Sequence, residues 1–390
     1  MTRYNYFLWA ALLLLVSSCD VAEASAPVPE TETVEEETST PSKPQKARFV
    51  HKTIIIPHDS KKFRGGEDAA STIDTMLVVA DGVGGWANKG VNPGLYSRKL
   101  TETITASFAV LEPSEQASVD LKQLVHKSNH IAADAHLGSA TCTVVRLKDA
   151  TTLETLNVGD SGYSIHRRTP DTAPSADNLE VAYASIPGQK GFNFPYQLGG
   201  QYGDQVYEPN VTDGPNTHTL QDKDVIVVVS DGIIDNIDPQ EYHDCISRYQ
   251  WSDQLDVPSK ADFDAKYKGY FDESELVSYS AVADCIARKA YFLGKDQTYF
   301  SPFARSAANY GKRYIGGKHD DITVVVAQVE LAAANGDFVV DPKQDDPHQS
   351  DSIFLYKESD GPIQPIDALP TMDQILQGIL NGADPVTAEL

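Results

Sequence analysis

The chain has 390 residues, of which 41% are hydrophobic and 23% are charged, so it can bury a full core in one large domain or two small ones. Its formal net charge of −24 argues against nucleic acid as a partner, because binding a phosphate backbone needs a concentration of lysine and arginine that the chain lacks. Divalent cations are the more natural counter-charge.

The N-terminal 24 residues have the pattern of a secretory signal peptide. Arg3 precedes an apolar run at 6–16, and the Ala-Glu-Ala sequence at 22–24 fits a signal-peptidase site. The run is too short to cross a bilayer. We therefore expect cleavage after Ala24, no transmembrane span in the mature chain, and a lumenal or extracellular location. An uncleaved membrane anchor and lipidation of Cys19 are the alternatives.

A linker and a domain follow the leader. Residues 25–47 are rich in Pro, Glu, Thr and Ser, which predicts disorder. Within the domain at 48–332, β-branched or alternating patterns predict strands at 75–80, 140–147, 151–158, 163–166, 181–184, 225–230 and 322–329. Apolar spacing predicts helices at about 93–110, 118–135, 239–248 and 275–293, with a capping box of Asp272 and Glu275 before the last.

The order of these elements favours antiparallel sheets covered by helices over a doubly wound parallel sheet, because the strands are not each followed by a crossover helix. After the domain, residues 333–390 are polar and acidic. They are interpreted as a C-terminal extension, with a short amphipathic helix at 372–380.

The cysteines give no sign of a zinc site. Cys142, Cys245 and Cys285 remain after leader removal, without CxxC spacing. A bridge between Cys245 and Cys285 is left open for an oxidising compartment, where Asn210 would also be a glycosylation site. Cys142 lies in an apolar run and is interpreted as a small core residue.

Aspartates lie at the ends of three apolar runs. Asp81 follows MLVVA, Asp231 follows VIVVVS, and Asp320 with Asp321 precedes ITVVV. A carboxylate in such a place costs several kcal/mol unless a cation or hydrogen bonds compensate it. Further acids at predicted turns are Glu67, Asp68, Asp160 and Asp235. Oxygen ligands without histidine or cysteine select Mg²⁺ or Mn²⁺, although any single Asp-Gly is also a common tight turn.

Six motifs carry a family resemblance. They are EDA at 67–69, DGVGG at 81–85, GSAT at 138–141, GDSG at 159–162, DGIIDN at 231–236 and GGKHDDIT at 316–323. In this order they resemble the motifs of the metal-dependent protein phosphatases of type 2C, and most closely the Ptc-seven-like branch. The resemblance covers about 50–330. It implies an α+β fold, a four-layer αββα sandwich of two mainly antiparallel sheets flanked by helices.

The resemblance also implies a reaction and a set of ligands. Two Mg²⁺ or Mn²⁺ ions, with a third left open, would activate a hydroxide that hydrolyses phosphoserine or phosphothreonine in phosphoproteins without a phosphoenzyme. Asp81 would bridge the two ions. The carbonyl of Gly82 would complete the site of one ion, and Asp231 and Asp320 would complete the site of the other. Glu67 and Asp68 would contact the ions through water, and Asp321 would support the ligands without binding an ion. Asp160 would be either a hydrogen-bonding acid or a ligand of the third ion.

Arg64 and His319 are candidates for substrate contact. The alternative interpretations are that Arg64 is a solvated loop residue and that His319 is an exposed loop residue.

We expect the protein to be a monomer.

Val83 departs from the family pattern, because many relatives have a histidine there to protonate the leaving alkoxide. A different acid would have to serve. This departure leaves a second hypothesis open, a catalytically weak or inactive phosphoprotein-binding module on the same fold. The compartment is a separate question, because the resemblance points towards mitochondria and the leader towards secretion; we follow the leader and keep a mitochondrial location as the alternative.

Overall fold

The computed structural model describes residues 46–169, 178–250, 282–333, 338 and 353–354. The strands in these ranges are β1 Lys46–Ile56, β2 Ala69–Ile73, β3 Met76–Ala80, β4 Cys142–Asp149, β5 Thr152–Val158, β6 Gly162–Arg168, β7 Leu179–Ala184, β8 Gln189–Gly191, β9 Phe194–Pro195, β10 Thr212–Thr219, β11 Val225–Val229, β12 Ile322–Ala332 and β13 Ile353–Phe354. The helices are α1 Pro93–Ala109, α2 Pro113–Ser118, α3 Leu121–Ala135, α4 Asp231–Ile234, α5 His243–Gln250, α6 Val282–Lys295 and α7 Pro302–Asn309. Short 3-10 helices occur at Asp59–Arg64, Gly84–Lys89, Gly200–Tyr202 and Pro239–Tyr242.

Two large sheets organise the domain. One has the strand order β13-β1-β12-β11-β6-β7 and the other the order β10-β5-β4-β3-β2. Neighbouring strands in both are antiparallel, apart from the parallel pair of β13 and β1. The predicted class, two mainly antiparallel sheets flanked by helices, is confirmed.

Three apolar cores separate four layers. The core between the sheets contains Phe49, Leu77, Tyr163 and Val325. A second core packs α5 and α6 on the outer face of the β12–β11 sheet, and a third packs α1 and α3 on the outer face of the β3–β4 sheet. The central strands are buried on both faces, which explains why β3 and β11 are continuous apolar runs rather than alternating ones.

All seven predicted strands of the domain are found, with ends within three residues of the prediction. The predicted helix 118–135 is found as α3, which begins three residues later than predicted, whereas α2 was not predicted. Val119 is extended, and the carboxylate of Asp120 then accepts hydrogen bonds from the backbone N–H groups of Lys122 and Gln123, which starts α3.

Several predicted segments lie outside the described residues: the leader, most of the linker, the capping box at Asp272, the first part of the helix at 275–293 and the helix at 372–380. Beyond residue 333, two parts of the C-terminal extension are described, and both contact β1. Phe354 pairs with Ile55 in parallel register, and the guanidinium of Arg48 lies 4.6 Å from the ring centre of Phe338. None of the described helices is long and apolar enough to cross a membrane.

Candidate metal centre

The sheet topology places four aspartates at one end of the sandwich. β3 and β5 are both antiparallel to β4, so they run in the same direction and end on the same side. Asp81 follows β3 and Asp160 follows β5. In the other sheet the end of β11 faces the start of β12, which places Asp231 beside the loop that carries Asp320.

The carboxylates are close enough to perturb one another. Burial, together with the negative charges of Asp231, Asp68, Asp320 and Asp160, raises the pKa of Asp81 well above its usual value. The structure thus brings together the predicted bridging residue, both predicted closing ligands and two of the accessory acids.

Asp68 and Asp160 are buried acids with incomplete hydrogen bonding. Burial and then the charge of Asp321 raise the pKa of Asp68 to about 8, while burial and the charge of Asp231 raise that of Asp160 to about 6. Gln189 donates to Asp160 Oδ2 at 2.7 Å. Within the described residues, Asp160 Oδ1 and both carboxylate oxygens of Asp68 lack a hydrogen bond of good geometry, although the nearby hydroxyls of Ser230 and Thr323 partly offset the rise in the pKa of Asp68.

The backbone at Gly82 approaches its neighbours closely. Its N–H donates to the carbonyl of Glu67 at 3.1 Å, and the N–H of Val83 donates to the carbonyl of Ser139 at 2.9 Å. A Cβ added at Gly82 would lie 2.6 Å from the Glu67 carbonyl oxygen. Only glycine therefore allows this loop to lie against the Glu67 segment.

Two lysines that the sequence analysis did not single out lie among these acids. The Nζ atom of Lys318 lies 2.5 Å from Asp231 Oδ2 and 2.7 Å from Asp235 Oδ2. Oδ2 of Asp320 is 3.4 Å away from the same ammonium. Burial alone would lower the pKa of Lys318, but the three carboxylate charges outweigh it and raise the pKa well above its usual value.

Lys61 lies on the other side of the cluster. Its Nζ atom is 2.6 Å from Glu67 Oε2, 3.3 Å from Asp320 Oδ1 and 3.0 Å from Asp321 Oδ2. Burial raises the pKa of Asp320, but the ammonium groups of Lys318 and Lys61 outweigh this effect and lower it.

Asp321 supports the loops around the cluster. Its Oδ1 accepts from the backbone N–H of His58 at 2.6 Å, and its Oδ2 accepts from that of Glu67 at 3.0 Å. The carboxylate thus ties the start of β12 to the loops after β1 and before β2.

The donors fit hard divalent cations. They are carboxylate oxygens, several of them desolvated or without a hydrogen bond, and Mg²⁺ and Mn²⁺ prefer such ligands. Within the described residues no three acidic, imidazole or thiol side chains form a closed cage around one point. The ammonium groups of Lys61 and Lys318 lie between several of these carboxylates.

The two substrate candidates have partners in the protein. Arg64 donates from Nη2 to Glu67 Oε1 at 2.6 Å, so it borders the acid cluster. The ring of His319 lies 4.2 Å from that of His58, centre to centre, and its Nε2 is 3.8 Å from Asp59 Oδ2. Burial lowers the pKa of His319 to about 4. His319 is half-buried rather than an exposed loop residue.

Two of the three cysteines in the described residues form a disulfide, and the third is buried in a strand. Cys142 is fully buried in β4, and burial raises the pKa of its thiol to about 12, which agrees with a core role and excludes a thiolate nucleophile. Cys245 of α5 and Cys285 of α6 form a disulfide. The bridge that the sequence left open is therefore present in the structure.

Relatives of known family match most of the chain. It is 34% identical over 285 residues to probable protein phosphatase 2C 80 of Arabidopsis thaliana, across 72% of this chain and 59% of the relative. It is 33% identical over 295 residues to probable protein phosphatase 2C 1 of Oryza sativa subsp. japonica, across 75% of this chain and 78% of the relative. No protein-family model matches.

A solved structure agrees with these matches. The X-ray structure of the photosystem II phosphatase PBCP matches with 29% identity and a TM-score of 0.55, across 72% of this chain and 98% of that one. The chain spans only 59% and 50% of two of the curated relatives. One relative, however, is matched over more than two thirds of both chains at 33% identity. The chain belongs to the protein phosphatase 2C family.

Proposed function

We propose that the protein is a metal-dependent serine/threonine phosphatase that hydrolyses phosphomonoesters in phosphoproteins. The observation that carries this proposal is the convergence of Asp81, Asp231 and Asp320 at one end of the two sheets. Family membership adds the reaction type. The branch within the family stays a prediction, supported by the motifs and by Val83.

The ligand assignment is the one that the resemblance to the type 2C phosphatases implies, and the proximity of the acids supports it. Asp81, Asp231, Asp320 and the carbonyl of Gly82 would hold two Mg²⁺ or Mn²⁺ ions, with Glu67 and Asp68 contacting them through water. When bound, such ions activate water as a nucleophile and neutralise the phosphoryl oxygens. Asp160, which is buried and has one oxygen without a hydrogen bond among the described residues, supports the assignment of a third ligand site.

The chain's own residues complete the chemistry. Arg64 borders the cluster through Glu67 and is the candidate to orient a substrate phosphate. Val83 has no proton to give, so the leaving alkoxide takes its proton from another group. The buried thiol of Cys142 takes no part. The alternative of an inactive regulatory module finds no support among the relatives, which are described as phosphatases.

The test is turnover of a phosphoserine peptide by the purified chain at increasing manganese. Asp81→Ala and Asp231→Ala should each lower turnover by more than about 100-fold, because they remove ligands of the ions that activate water. Asp74→Ala is the matched control, since Asp74 is 77% exposed at the turn between β2 and β3, at the opposite end of the hairpin from Asp81. Equal activity, or equal inactivity, of all four proteins would refute the proposal.

We further propose that the mature protein acts in the secretory pathway or outside the cell, as a monomer. The leader pattern and the Cys245–Cys285 disulfide support an oxidising compartment. Asn210 is exposed, as a glycosylation site requires. Mass spectrometry of the protein isolated from its own cells should give an N-terminus near Ser25. A chain that retains Met1, or one recovered from the mitochondrial matrix, would contradict this location.

A further inference from the structure

Lys318 is a partly buried cation beside three carboxylates of the acid cluster. Its side chain is 14% exposed, and its ammonium lies within 3.4 Å of carboxylate oxygens from Asp231, Asp235 and Asp320. Two of these three residues are assigned as metal ligands. The ammonium therefore shares its partners with the ions that the site is proposed to bind.

The position of Lys318 is fixed by its surroundings. The side-chain amide of Asn236 both accepts from the N–H of Lys318 at 2.9 Å and donates to its carbonyl at 2.7 Å. The ring centre of Phe303 lies 5.2 Å from the Nζ atom. A lysine held at its backbone and covered by an aromatic ring does not behave as a flexible surface cation.

The cluster needs this positive charge when no metal is present. Several carboxylates meet at one end of the sandwich, and burial makes their mutual repulsion strong. Lys61 neutralises the side formed by Glu67 and Asp321, and Lys318 neutralises the side formed by Asp231 and Asp235. A divalent cation that binds between Asp231 and Asp320 must do so against the charge of Lys318.

We propose that Lys318 is an internal counter-ion that keeps the metal-free site folded and weakens its affinity for divalent cations. The inference rests on the proposed metal-dependent function and adds a residue that sets the metal concentration at which the site fills. Loss of a lysine with only a structural role would lower both the stability of the protein and its affinity for metal. Removing the charge should destabilise the metal-free protein but tighten metal binding.

The experiment compares the full chain with Lys318→Met and Lys318→Gln. Methionine keeps the length of the side chain without charge, and glutamine keeps a hydrogen-bond donor towards Asp231. Manganese affinity is measured by isothermal titration calorimetry, and the melting temperature is measured with a chelator and with saturating manganese. Far-UV circular dichroism selects the folded variants.

The expected result is manganese binding at least about tenfold tighter in both neutral variants, because a nearby positive charge has been removed. Without metal, the melting temperatures of both variants should lie below that of the wild type, since breaking a buried ion pair leaves carboxylates unpaired. Manganese should raise the melting temperature of each variant by more than it raises that of the wild type. Lys148→Met is the matched control. It breaks an ion pair with Glu154, 2.7 Å between Nζ and Oε1, near the far end of β4, and should leave manganese affinity unchanged.

Unchanged or weaker manganese binding in folded Lys318→Met or Lys318→Gln would overturn the inference. If the wild type binds manganese and hydrolyses the phosphopeptide, that result leaves the proposed function intact. If the wild type binds no manganese, the proposed function and this inference both fail.

Discussion

At the scale of single residues, Gly82 is the most constrained glycine of the loop at 81–85. A methyl group there would meet the Glu67 carbonyl oxygen at 2.6 Å. We expect Gly82→Ala to lower stability by about 1–3 kcal/mol and to lower manganese-dependent turnover, because the loop that carries Asp81 must shift. The measurements are the urea midpoint and phosphopeptide turnover. Gly85→Ala is the control, since nothing lies within 4 Å of its added Cβ; equal effects of the two variants would contradict this account.

Asp68 makes the metal-free protein sensitive to pH. Burial and the charge of Asp321 raise its pKa from 3.8 to about 8, so between these values the folded chain keeps a proton that the unfolded chain releases. Stability should therefore fall as pH rises through this window. With a chelator present, the melting temperature should decrease from pH 5 to pH 8, and Asp68→Asn should flatten the decrease. A melting temperature that rises over this range would contradict the burial argument.

The sequence indicated the acidic residues of the site but not the lysines that pair with them. Asp81, Asp231 and Asp320 could be found because each adjoins an apolar run that had to be a buried strand. Lys61 and Lys318 could not be assigned, because a long flexible side chain can reach many acids and only the tertiary structure selects among them. The adjacent KHDD sequence was the one available signal for Lys318.

At the scale of elements, the disulfide joins α5 and α6 outside the β12–β11 sheet. The two cysteines are 40 residues apart, and closing a loop of that size stabilises a protein by about 2–4 kcal/mol. The double variant Cys245→Ala/Cys285→Ala should therefore melt at a lower temperature and keep its activity, because neither cysteine contacts the acids.

A reducing agent provides the control for that prediction. It should lower the melting temperature of the wild type towards that of the double variant and leave the variant itself unchanged. Mass spectrometry without reduction should detect one free thiol in the mature wild type, that of Cys142. Three free thiols, or no response to reductant, would contradict the disulfide.

Strands with a clear apolar or alternating pattern were predictable, including the edge strand β7, whereas strands of polar or mixed composition were not. β10 has the sequence TDGPNTHT, which is polar throughout and contains a Gly-Pro pair, yet it pairs with β5 at the edge of its sheet. β1 mixes basic and apolar residues, and β2 is composed mostly of small ones. The pairing of these strands is decided by neighbours far away in the sequence, which local patterns do not report.

At the scale of the whole molecule, the fold explains why acids far apart in the chain form one site. Two antiparallel sheets share an end, and every loop that carries a predicted ligand lies there. The net charge of −24 is consistent with a protein whose site is completed by divalent cations. The order of the motifs was sufficient to predict the four-layer architecture, because the family resemblance covers the whole domain.

The central claim, that these acids hold metal ions with Asp81 between them, is tested most directly by counting the ions. The full chain is dialysed to equilibrium against manganese, and the bound metal is measured by elemental analysis. We predict at least two ions per wild-type chain, fewer than one in Asp81→Asn, and the wild-type number in the exposed control Asp74→Asn. The same metal content in the wild type and Asp81→Asn, or no bound metal in an active wild type, would contradict the account.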